Sequence, residues 1–272
     1  MTSSYTEITF SSVTPAQTDA LIALLGEAGY EGFEEREHSL HAYLPTQQFD
    51  PAELAAIVET FTLSYTVKEI QPTNWNAAWE SNFEPVTIGS FLHIRASFHP
   101  ACNNTQHEIV ITPKMSFGTG HHATTQLMAA EMSRLNLEGQ TVFDFGTGTG
   151  ILAIVAAKLG ASQIVAIDND PWSIENAIEN ASVNKCAQIN FSLADQPPSA
   201  GAFEYILANI NLTILVAHMP DLVRLLRKGG QLLLSGLLIS DRAIIEPACT
   251  SLGLCVVSVQ AQGDWLMLRL AY

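Results

Sequence analysis

Val142–Gly150, with the sequence VFDFGTGTG, is the segment that decides the fold of this chain. Hydrophobic residues followed by an acid are typical of the end of a buried strand, and the run ILAIVAAKL after the glycines has the composition of a helix. A strand that turns directly into a helix needs positive φ and close approach of the backbone, and glycine provides both at least cost. The segment therefore predicts a strand, a glycine turn that carries a ligand, and a helix that ends at Gly160.

A second predicted strand, Val165–Asp168, also ends in an acid, and Asp168 follows Gly150 by 18 residues. In nucleotide-binding α/β folds, the carboxylate that binds the ribose hydroxyls stands at the tip of this next strand. The glycine turn and the acid together predict a nucleoside ligand. A turn that only packs the helix against the strand is the simpler alternative.

The spacing of the glycines separates two kinds of nucleoside ligand. The dinucleotide fingerprint G-x-G-x-x-G, begun at Gly146, requires a glycine where Ile151 stands. The chain instead has D-x-G-x-G-x-G, begun at Asp144, and an acid beside the turn can face an ammonium or sulfonium cation but repels phosphate. The pattern favours S-adenosylmethionine as the cofactor and leaves a nicotinamide-dependent oxidoreductase as an alternative.

The composition is that of a globular protein, with 272 residues and 47% hydrophobic content. The sequence has no run of 18 apolar residues, and its N-terminus, MTSSYTEITF, lacks a basic region followed by an apolar one, so we expect a cytoplasmic protein without a membrane span. The four cysteines are scattered and are expected to be free thiols. The pair His121-His122 does not have the spacing of metal ligands, so no metal is expected.

Charge is unevenly distributed along the chain. The formal net charge is −15, of which residues 1–84 carry −11 because 13 acids there face only Arg36 and Lys68. Such a surface repels a phosphate backbone, so we expect no direct binding to nucleic acid, and it attracts a basic protein partner. An acidic face that only keeps the protein in solution explains the same charge equally well.

The first seventy residues show a βαββαβ order, typical of a ferredoxin-like α+β domain. Residues 1–70 contain no catalytic cluster, so substrate recognition is the role predicted for them. The predicted strands are Tyr5–Phe10, Gly32–Glu35, Leu40–Leu44 and Phe61–Ile70, and the predicted helices are Pro15–Ala28 and Pro51–Thr60.

Residues 71–84 form a predicted linker helix, because Trp75, Trp79 and Phe83 recur at i, i+4 and i+8. Short strands at Pro85–Arg95 and Glu108–Ile111 lead into the larger domain, residues 85–272. There, strands and helices alternate as in a doubly wound, seven-stranded α/β sheet with an antiparallel last strand. Ligands of such sheets bind at the carboxyl ends of the strands.

Five blocks of the sequence also carry a resemblance to a known family. They are FGTGHHATT (Phe117–Thr125), FDFGTGTGILAIVAAKLGA (Phe143–Ala161), AIDNDPWSIENAIEN (Ala166–Asn180), ILANIN (Ile206–Asn211) and KGGQLLLSGLL (Lys228–Leu238). Within about Trp75 to Leu238, the chain resembles the PrmA family of Rossmann-like methyltransferases. Members of this family use S-adenosylmethionine to methylate lysine or N-terminal amino groups of ribosomal protein L11. The resemblance implies S-adenosylmethionine as the cofactor and this basic ribosomal protein as the substrate. We also expect a monomer.

The resemblance also implies roles for individual residues. Thr125 and Gly146 stand where the family contacts the cofactor, and Asp168 matches the acid that binds the ribose hydroxyls. Asn209 matches the asparagine beside the methyl donor and the substrate, which makes it the candidate catalytic residue as well as a cofactor contact. Asp195 is a further candidate for the adenine amino group.

Some positions depart from the family pattern. Lys114 stands where a glycine is usual, His121 where a threonine is common, and Ala123 where a proline is common; an expected tryptophan is missing, with Phe98 nearby. These changes fall on the substrate side and bear on the target more than on the cofactor. The alternatives left open are a methyltransferase of another protein or of a small molecule, and a binding module without catalysis.

The tetrapeptide Ala208-Asn-Ile-Asn211 bears on the chemical class of the acceptor. It lacks the two prolines and the aromatic residue of the N-P-P-[YFW] motif, which is found in methylases of planar amide or base nitrogens. The sequence therefore favours an aliphatic amine as the methyl acceptor.

Overall fold

The structure, a computed structural model, describes residues 4–36, 39–59, 61, 63–70, 83–112 and 118–272. The chain divides into two compact units, Met1–Asn82 and Phe83–Tyr272, which are described separately below. No helix within the described ranges is long and apolar enough to cross a membrane. The same ranges contain no group of three or more His, Cys, Asp and Glu residues placed to hold a metal ion, and all four cysteines are free thiols.

The first unit is a four-stranded antiparallel sheet with two helices, in the βαββαβ order that the sequence predicts. The strands lie in the order β2-β3-β1-β4, which is the ferredoxin-like arrangement. The elements are β1 (Tyr5–Ser11), α1 (Pro15–Glu27), β2 (Gly32–Arg36), β3 (Ser39–Pro45), α2 (Pro51–Glu59) and β4 (Tyr65–Ile70).

Local sequence accounts for most boundaries of this unit. Thr14 caps α1 in a capping box with Gln17, and a proline occupies the first turn. Strand β4, however, begins at Tyr65 and not at Phe61 as predicted. The Phe61 N–H donates to the Val58 carbonyl at 2.9 Å, so Phe61 belongs to the turn that ends α2, and its side chain packs against the core of the unit.

The second unit contains a seven-stranded sheet with the order β10-β9-β8-β11-β12-β14-β13. Its elements are β8 (Thr141–Phe145), α4 (Ile151–Lys158), β9 (Gln163–Asp168), α5 (Pro171–Val183), β10 (Ile189–Leu193), β11 (Phe203–Asn209), α6 (Leu212–Leu225), β12 (Leu226–Leu238), α7 (Arg242–Ser251), β13 (Cys255–Gln262) and β14 (Trp265–Ala271), preceded by helix α3 (Ala123–Met132). Strand β14 pairs antiparallel with both β12 and β13. The predicted doubly wound sheet with an antiparallel last strand is confirmed.

Two hydrophobic clusters build the core of this second unit. One includes Met128 of α3 and Ile154 of α4, and the other includes Leu215 of α6 and Ile245 of α7. These four side chains are at most 1% exposed. Strand β8 contributes Val142 to the first cluster and Phe143 and Phe145 to the second, as expected where a parallel sheet is covered on both faces.

The segment before this sheet differs from its prediction. Residues 71–82 of the predicted linker helix lie outside the described residues, and Phe83 and Glu84 have irregular structure. Pro85–Arg95 is a hairpin, with strands β5 (Val86–Ile88) and β6 (Leu92–Ala96) joined by a turn at Gly89, where φ is +54°. Strand β7 (His107–Ile111) pairs parallel with β6 and completes a three-stranded sheet.

A ladder of asparagines covers the free edge of β7. Asn176, Asn180 and Asn184 recur at i, i+4 and i+8 along α5 and its C-cap. The Asn184 side chain accepts from Val110 N at 2.9 Å and donates to Val110 O at 2.6 Å. Asn180 Oδ1 accepts from Thr112 N at 2.8 Å. Side-chain amides thus satisfy backbone groups that a further strand would otherwise pair.

We predict that Asn184→Ala lowers the free energy of unfolding by about 2–4 kcal/mol, because it leaves two backbone groups of Val110 without partners. Equilibrium unfolding in urea measures the change. Glu175→Ala, at an exposed position of the same helix, is the control and should change stability by less than about 0.5 kcal/mol. Equal effects of the two substitutions would show that the ladder contributes nothing.

Candidate active site

A cavity of about 400 Å³ opens at the carboxyl ends of β8, β9, β11 and β12. This is the edge at which doubly wound sheets bind their ligands. Three of the four residues predicted for the site, Gly146, Asp168 and Asn209, line it together with Asp195. The other lining residues are His122, Phe145, Gly148, Asn169, Ser173, Ala194, Ile210, Asn211, Ile214, Gly236 and Trp265.

The glycine turn presents bare backbone to this cavity. Gly146, Gly148 and Gly150 all have positive φ, at 75°, 55° and 78°. A Cβ on Gly146 would lie 2.3 Å from Ile210 Cγ2, so any side chain there would force the turn or Ile210 to shift. Gly146 N and Thr147 N both donate to the Ile167 carbonyl at 2.9 Å, so the turn is tied to the end of β9.

Asp168 holds the turn from the next strand. Its Oδ2 accepts from Gly148 N at 2.8 Å, and its Oδ1 accepts from Asp170 N at 3.0 Å. Each carboxylate oxygen has further lone pairs, and the side chain lines the cavity. The residue therefore fixes the shape of the turn and also offers acceptors to a ligand with hydroxyl groups.

Asp144 occupies a different position from the one its place in the motif suggests. The sequence pattern lets this acid face a cation, but the side chain is only 1% exposed, and the described residues that line the cavity include Asp168 and not Asp144. Burial, together with the nearby charge of Asp168, raises the pKa of Asp144 to about 7. A hydrogen bond of 2.6 Å from Thr147 Oγ1 to Asp144 Oδ2 acts in the opposite direction.

Asn209 ends β11 at the cavity wall. Its Oδ1 is inaccessible to solvent and has no hydrogen-bond partner among the described residues. Its Nδ2 lies 3.5 Å from Thr125 Oγ1. Thr125, on α3, is only 1% exposed, and the described residues that line the cavity do not include it. Thr125 is thus placed behind Asn209, and a direct contact of Thr125 with the cofactor stays a prediction.

The cavity also has an aromatic corner that sequence reasoning did not single out. His122 Nδ1 lies 2.7 Å from Thr124 Oγ1 at the N-terminus of α3. The His122 ring packs against Trp265 in a T-shaped arrangement with a centroid distance of 4.5 Å. Trp265 begins β14, far along the chain from every motif. His122 lies within the FGTGHHATT block, so the block was a signal for it. The indole ring had no signal beyond its residue type.

Of the positions that depart from the family pattern, the three that the structure describes, His121, Ala123 and Phe98, are not among the residues that line the cavity. His121 is exposed; its Nε2 lies 2.8 Å from the Glu84 carbonyl, and its ring meets the edge of Phe83. Ala123 is the first residue of α3, and Phe98 is exposed. Lys114 lies outside the described residues.

S-adenosylmethionine fits the residues around this cavity. The Asp168 carboxylate suits hydroxyl groups, the backbone at Gly146 and Gly148 allows close approach, and Asp195 lies at the exposed rim. The buried, unsatisfied Oδ1 of Asn209 supplies an acceptor. Apolar side chains provide the walls that a ligand of this size needs; they are Phe145, Ala194, Ile210 and Ile214.

This fold and this site define the class of S-adenosylmethionine-dependent methyltransferases. A family profile described as Ribosomal protein L11 methyltransferase (PrmA) matches residues 9–271. The chain belongs to this family, so the resemblance found in its sequence is confirmed. Membership decides against the nicotinamide oxidoreductase that the glycine turn alone had left open.

Similar proteins support the assignment along nearly the whole chain. A protein of Phocaeicola vulgatus is 38% identical over 97% of this chain and 98% of its own length. One of Porphyromonas gingivalis is 41% identical over 92% of this chain and 89% of its own. Both are named ribosomal protein L11 methyltransferase. The crystal structure of a ribosomal protein L11 methylase from Lactobacillus delbrueckii subsp. bulgaricus is 31% identical, with a TM-score of 0.65 over 70% of this chain and 98% of that chain.

We predict that Asp144→Asn stabilises the protein more at pH 8 than at pH 5. The pKa of Asp144 in the folded protein, about 7, lies above the ordinary value of 3.8. The wild type therefore loses stability as pH rises from the ordinary value to the folded one, because in that range the unfolded chain releases this proton whereas the buried carboxyl keeps it. The asparagine does not titrate, so the free energy of unfolding that it gains over the wild type should grow by about 3 kcal/mol between pH 5 and pH 8, at roughly 1.36 kcal/mol per pH unit up to the folded pKa.

Urea unfolding of both proteins at the two pH values checks this prediction. Asp221→Asn, at an exposed carboxylate of α6, is the control and should show almost no dependence on pH. A constant difference between Asp144→Asn and the wild type would mean that Asp144 is ionised throughout this range.

Proposed function

We propose that this protein transfers methyl groups from S-adenosylmethionine to amino groups of ribosomal protein L11, on lysine side chains, the N-terminal amine or both. Family membership and the names of the relatives support this target. The single observation that carries the chemistry is the carboxamide of Asn209: the residue lines the cavity, and its buried Oδ1 has no hydrogen-bond partner among the described residues. A neutral amine in the cavity has an N–H to donate to this oxygen once rotation of the carboxamide turns it toward the cavity.

The residues around Asn209 suit the alignment of an amine. The bound cofactor supplies an electrophilic methyl group on a sulfonium, from which a neutral thioether leaves readily. The acceptor amine is itself the nucleophile, so the protein needs no dedicated one. Phe145, Ile214 and Trp265 line the same cavity and exclude water from the acceptor, which favours the uncharged amine. Asn209 Oδ1 orients the nitrogen, and alignment alone can lower the barrier by several kcal/mol, roughly 7–11 in the best cases.

The site residues have distinct proposed roles. Asn209 is the catalytic residue and also contacts the cofactor, and Gly146 cradles the cofactor with its backbone. Asp168 binds the ribose hydroxyls, and Asp195 is the candidate at the adenine. Thr125 is proposed as a further contact of the cofactor, and its Oγ1 lies 3.5 Å from Asn209 Nδ2.

For the remainder of the chain, we propose substrate recognition by residues 1–70, a linker at 71–84 and the methyltransferase domain at 85–272. The outward face of the first sheet carries carboxylates held by tyrosines. The Tyr43 hydroxyl lies 3.2 Å from Glu7 Oε1 and 3.3 Å from Glu34 Oε2 and can donate its one proton to either, and Tyr5 donates to Glu31 at 3.1 Å. Although Glu34 also pairs with Arg36, and Glu7 with His41, residues 1–84 carry a net charge of −11, which suits a basic protein and not a phosphate backbone. We expect a cytoplasmic monomer.

The proposed function is tested by transfer of labelled methyl groups to purified ribosomal protein L11, with free amino acids and other small amines assayed in parallel. Label in the ribosomal protein alone supports the proposal. Label in a small amine alone, or in another protein of a cell extract and not in L11, would overturn it in favour of the alternative acceptors. Mass spectrometry of the product then identifies the methylated amines.

We predict that Asp168→Ala weakens binding of S-adenosylmethionine at least tenfold, because it removes both the acceptor that holds Gly148 N and the acceptors offered to hydroxyl groups. Isothermal calorimetry measures the dissociation constant. The matched control is Asp221→Ala, at an exposed acid of α6, for which the constant should stay within twofold. Unchanged affinity in Asp168→Ala would remove Asp168 from the site.

We predict that replacing Glu7, Glu31 and Glu34 together by glutamine raises the KM for ribosomal protein L11 at least fivefold and leaves kcat and cofactor affinity unchanged. The amides keep the hydrogen bonds to the tyrosines but lose the charges that attract a basic protein. The KM of the variant should also depend less on ionic strength. Glu246→Gln, in the second unit, is the control, and an unaltered KM in the triple variant would contradict recognition by this face.

A further inference from the structure

Ile210 occupies a space that two glycines leave open. A Cβ on Gly146 would lie 2.3 Å from Ile210 Cγ2, and a Cβ on Gly236 would lie 2.5 Å, 2.7 Å and 2.8 Å from the backbone O, C and N of Ile210. Both glycines have positive φ, at 75° and 79°. The Ile210 side chain is thus in contact with the glycine turn, and the Ile210 backbone is in contact with β12.

The contact with Gly236 depends on a bulge in β12. The register of β12 with β14 shifts between Leu234 and Leu237, and Ser235 Oγ donates to the Leu266 carbonyl at 2.8 Å. On its other side β12 pairs with β11, and Asn209 is the residue opposite Ser235. The bulge therefore lies where β11 ends, and it brings Gly236 against the residue that follows Asn209.

We propose that Ile210 is a positioning residue, which sets the Asn209 carboxamide relative to the glycine turn through its contacts with Gly146 and Gly236. The turn belongs to the cofactor side of the cavity, and Asn209 belongs to the acceptor side. Ile210 adjoins Asn209 in sequence and packs against the turn, so a shift of its side chain moves one side relative to the other. This inference rests on the proposed function, because it assigns Ile210 to the alignment of the amine.

Two properties of the contact make the position of Ile210 rigid. The atoms that face Gly236 belong to the Ile210 backbone, which cannot rotate away as a side chain can. On the other side, Gly146 is held by its hydrogen bond to the Ile167 carbonyl at 2.9 Å. Methyl transfer is sensitive to such alignment, since a misplacement of about 1 Å can reduce a rate about 10²-fold.

A binding experiment tests the packing without any methyl acceptor. Gly146→Ala should weaken S-adenosylmethionine binding at least tenfold, measured by calorimetry, because its Cβ meets Ile210 Cγ2. The double variant with Ile210→Ala should bind S-adenosylmethionine at least threefold more tightly than Gly146→Ala alone, since the nearest remaining atom, the Cβ of residue 210, lies 3.8 Å away. The strain of an alanine at positive φ remains in both variants. If the loss of affinity in the double variant equals the product of the losses in the two single variants, the proposed packing of Ile210 against Gly146 is overturned.

A transfer experiment tests the alignment. Ile210→Ala should lower kcat for ribosomal protein L11 at least tenfold, and by a larger factor than it weakens cofactor binding, for which it removes only one apolar wall. Ile210→Val keeps the branched β-carbon and should restore kcat to within threefold of wild type. A kcat within threefold of wild type in Ile210→Ala, or a loss confined to cofactor affinity or KM, would overturn the positioning role.

Two further measurements separate this inference from other outcomes. Ile245→Ala, at a buried isoleucine of the same hydrophobic cluster, should lower thermal stability and leave kcat within threefold, which distinguishes positioning from general loss of packing. A crystal structure of Ile210→Ala should show the 3.5 Å separation between Asn209 Nδ2 and Thr125 Oγ1 lengthened, and an unmoved Asn209 would overturn the inference. A wild type that binds the cofactor but leaves ribosomal protein L11 unmethylated overturns the proposed function alone, because the binding cycle and the crystal structure need no acceptor.

Discussion

The second unit depends on the hydrogen bonds that tie the glycine turn after β8 to the end of β9. Two amides of the turn converge on the Ile167 carbonyl and a third donates to the Asp168 carboxylate. These bonds hold three glycines at positive φ, a conformation that other residues adopt only with strain. The start of α4, the open backbone surface of the cavity and the direction of Asp168 all follow from this arrangement. One carboxylate thus shapes the site and also offers acceptors within it.

Two further sets of hydrogen bonds, made by Thr149 and Asn180, connect this turn to neighbouring segments. Thr149 Oγ1 donates to the Gly118 carbonyl at 2.6 Å, which ties the turn to the segment that leads to His122. Asn180 links the Thr149 carbonyl to the Thr112 amide and thereby to the edge of β7. Side-chain amides and hydroxyls therefore join the three-stranded sheet to the cofactor side of the large sheet. Satisfied networks of this kind specify one arrangement of the buried backbone, because each unmade bond would leave a polar group without a partner.

Most of the fold follows from local patterns in the sequence. The strand, glycine turn and helix at Val142–Lys158 are recognisable because glycine conformation and hydrophobic run length are local properties. Element boundaries differ from local expectation where tertiary contacts decide them. Phe61 has a strand-forming side chain but serves as a core contact in a turn. Strand β12 runs over 13 residues, from Leu226 to Leu238, because pairing with β11 and β14 extends it.

By itself, the sequence determined the class of fold, the family, and the presence of Gly146, Asp168 and Asn209 at strand ends that meet at one edge of the sheet. The tertiary structure alone decided that Asp144 is buried behind the turn, that Thr125 stands behind Asn209, and that His122 and Trp265 meet across the cavity. It alone placed Ile210 between Gly146 and Gly236, residues that lie 90 positions apart in the chain. The physical reason is that conformational preference and periodicity act over a few neighbouring residues, whereas contact and burial depend on which distant segments the folded sheet brings together.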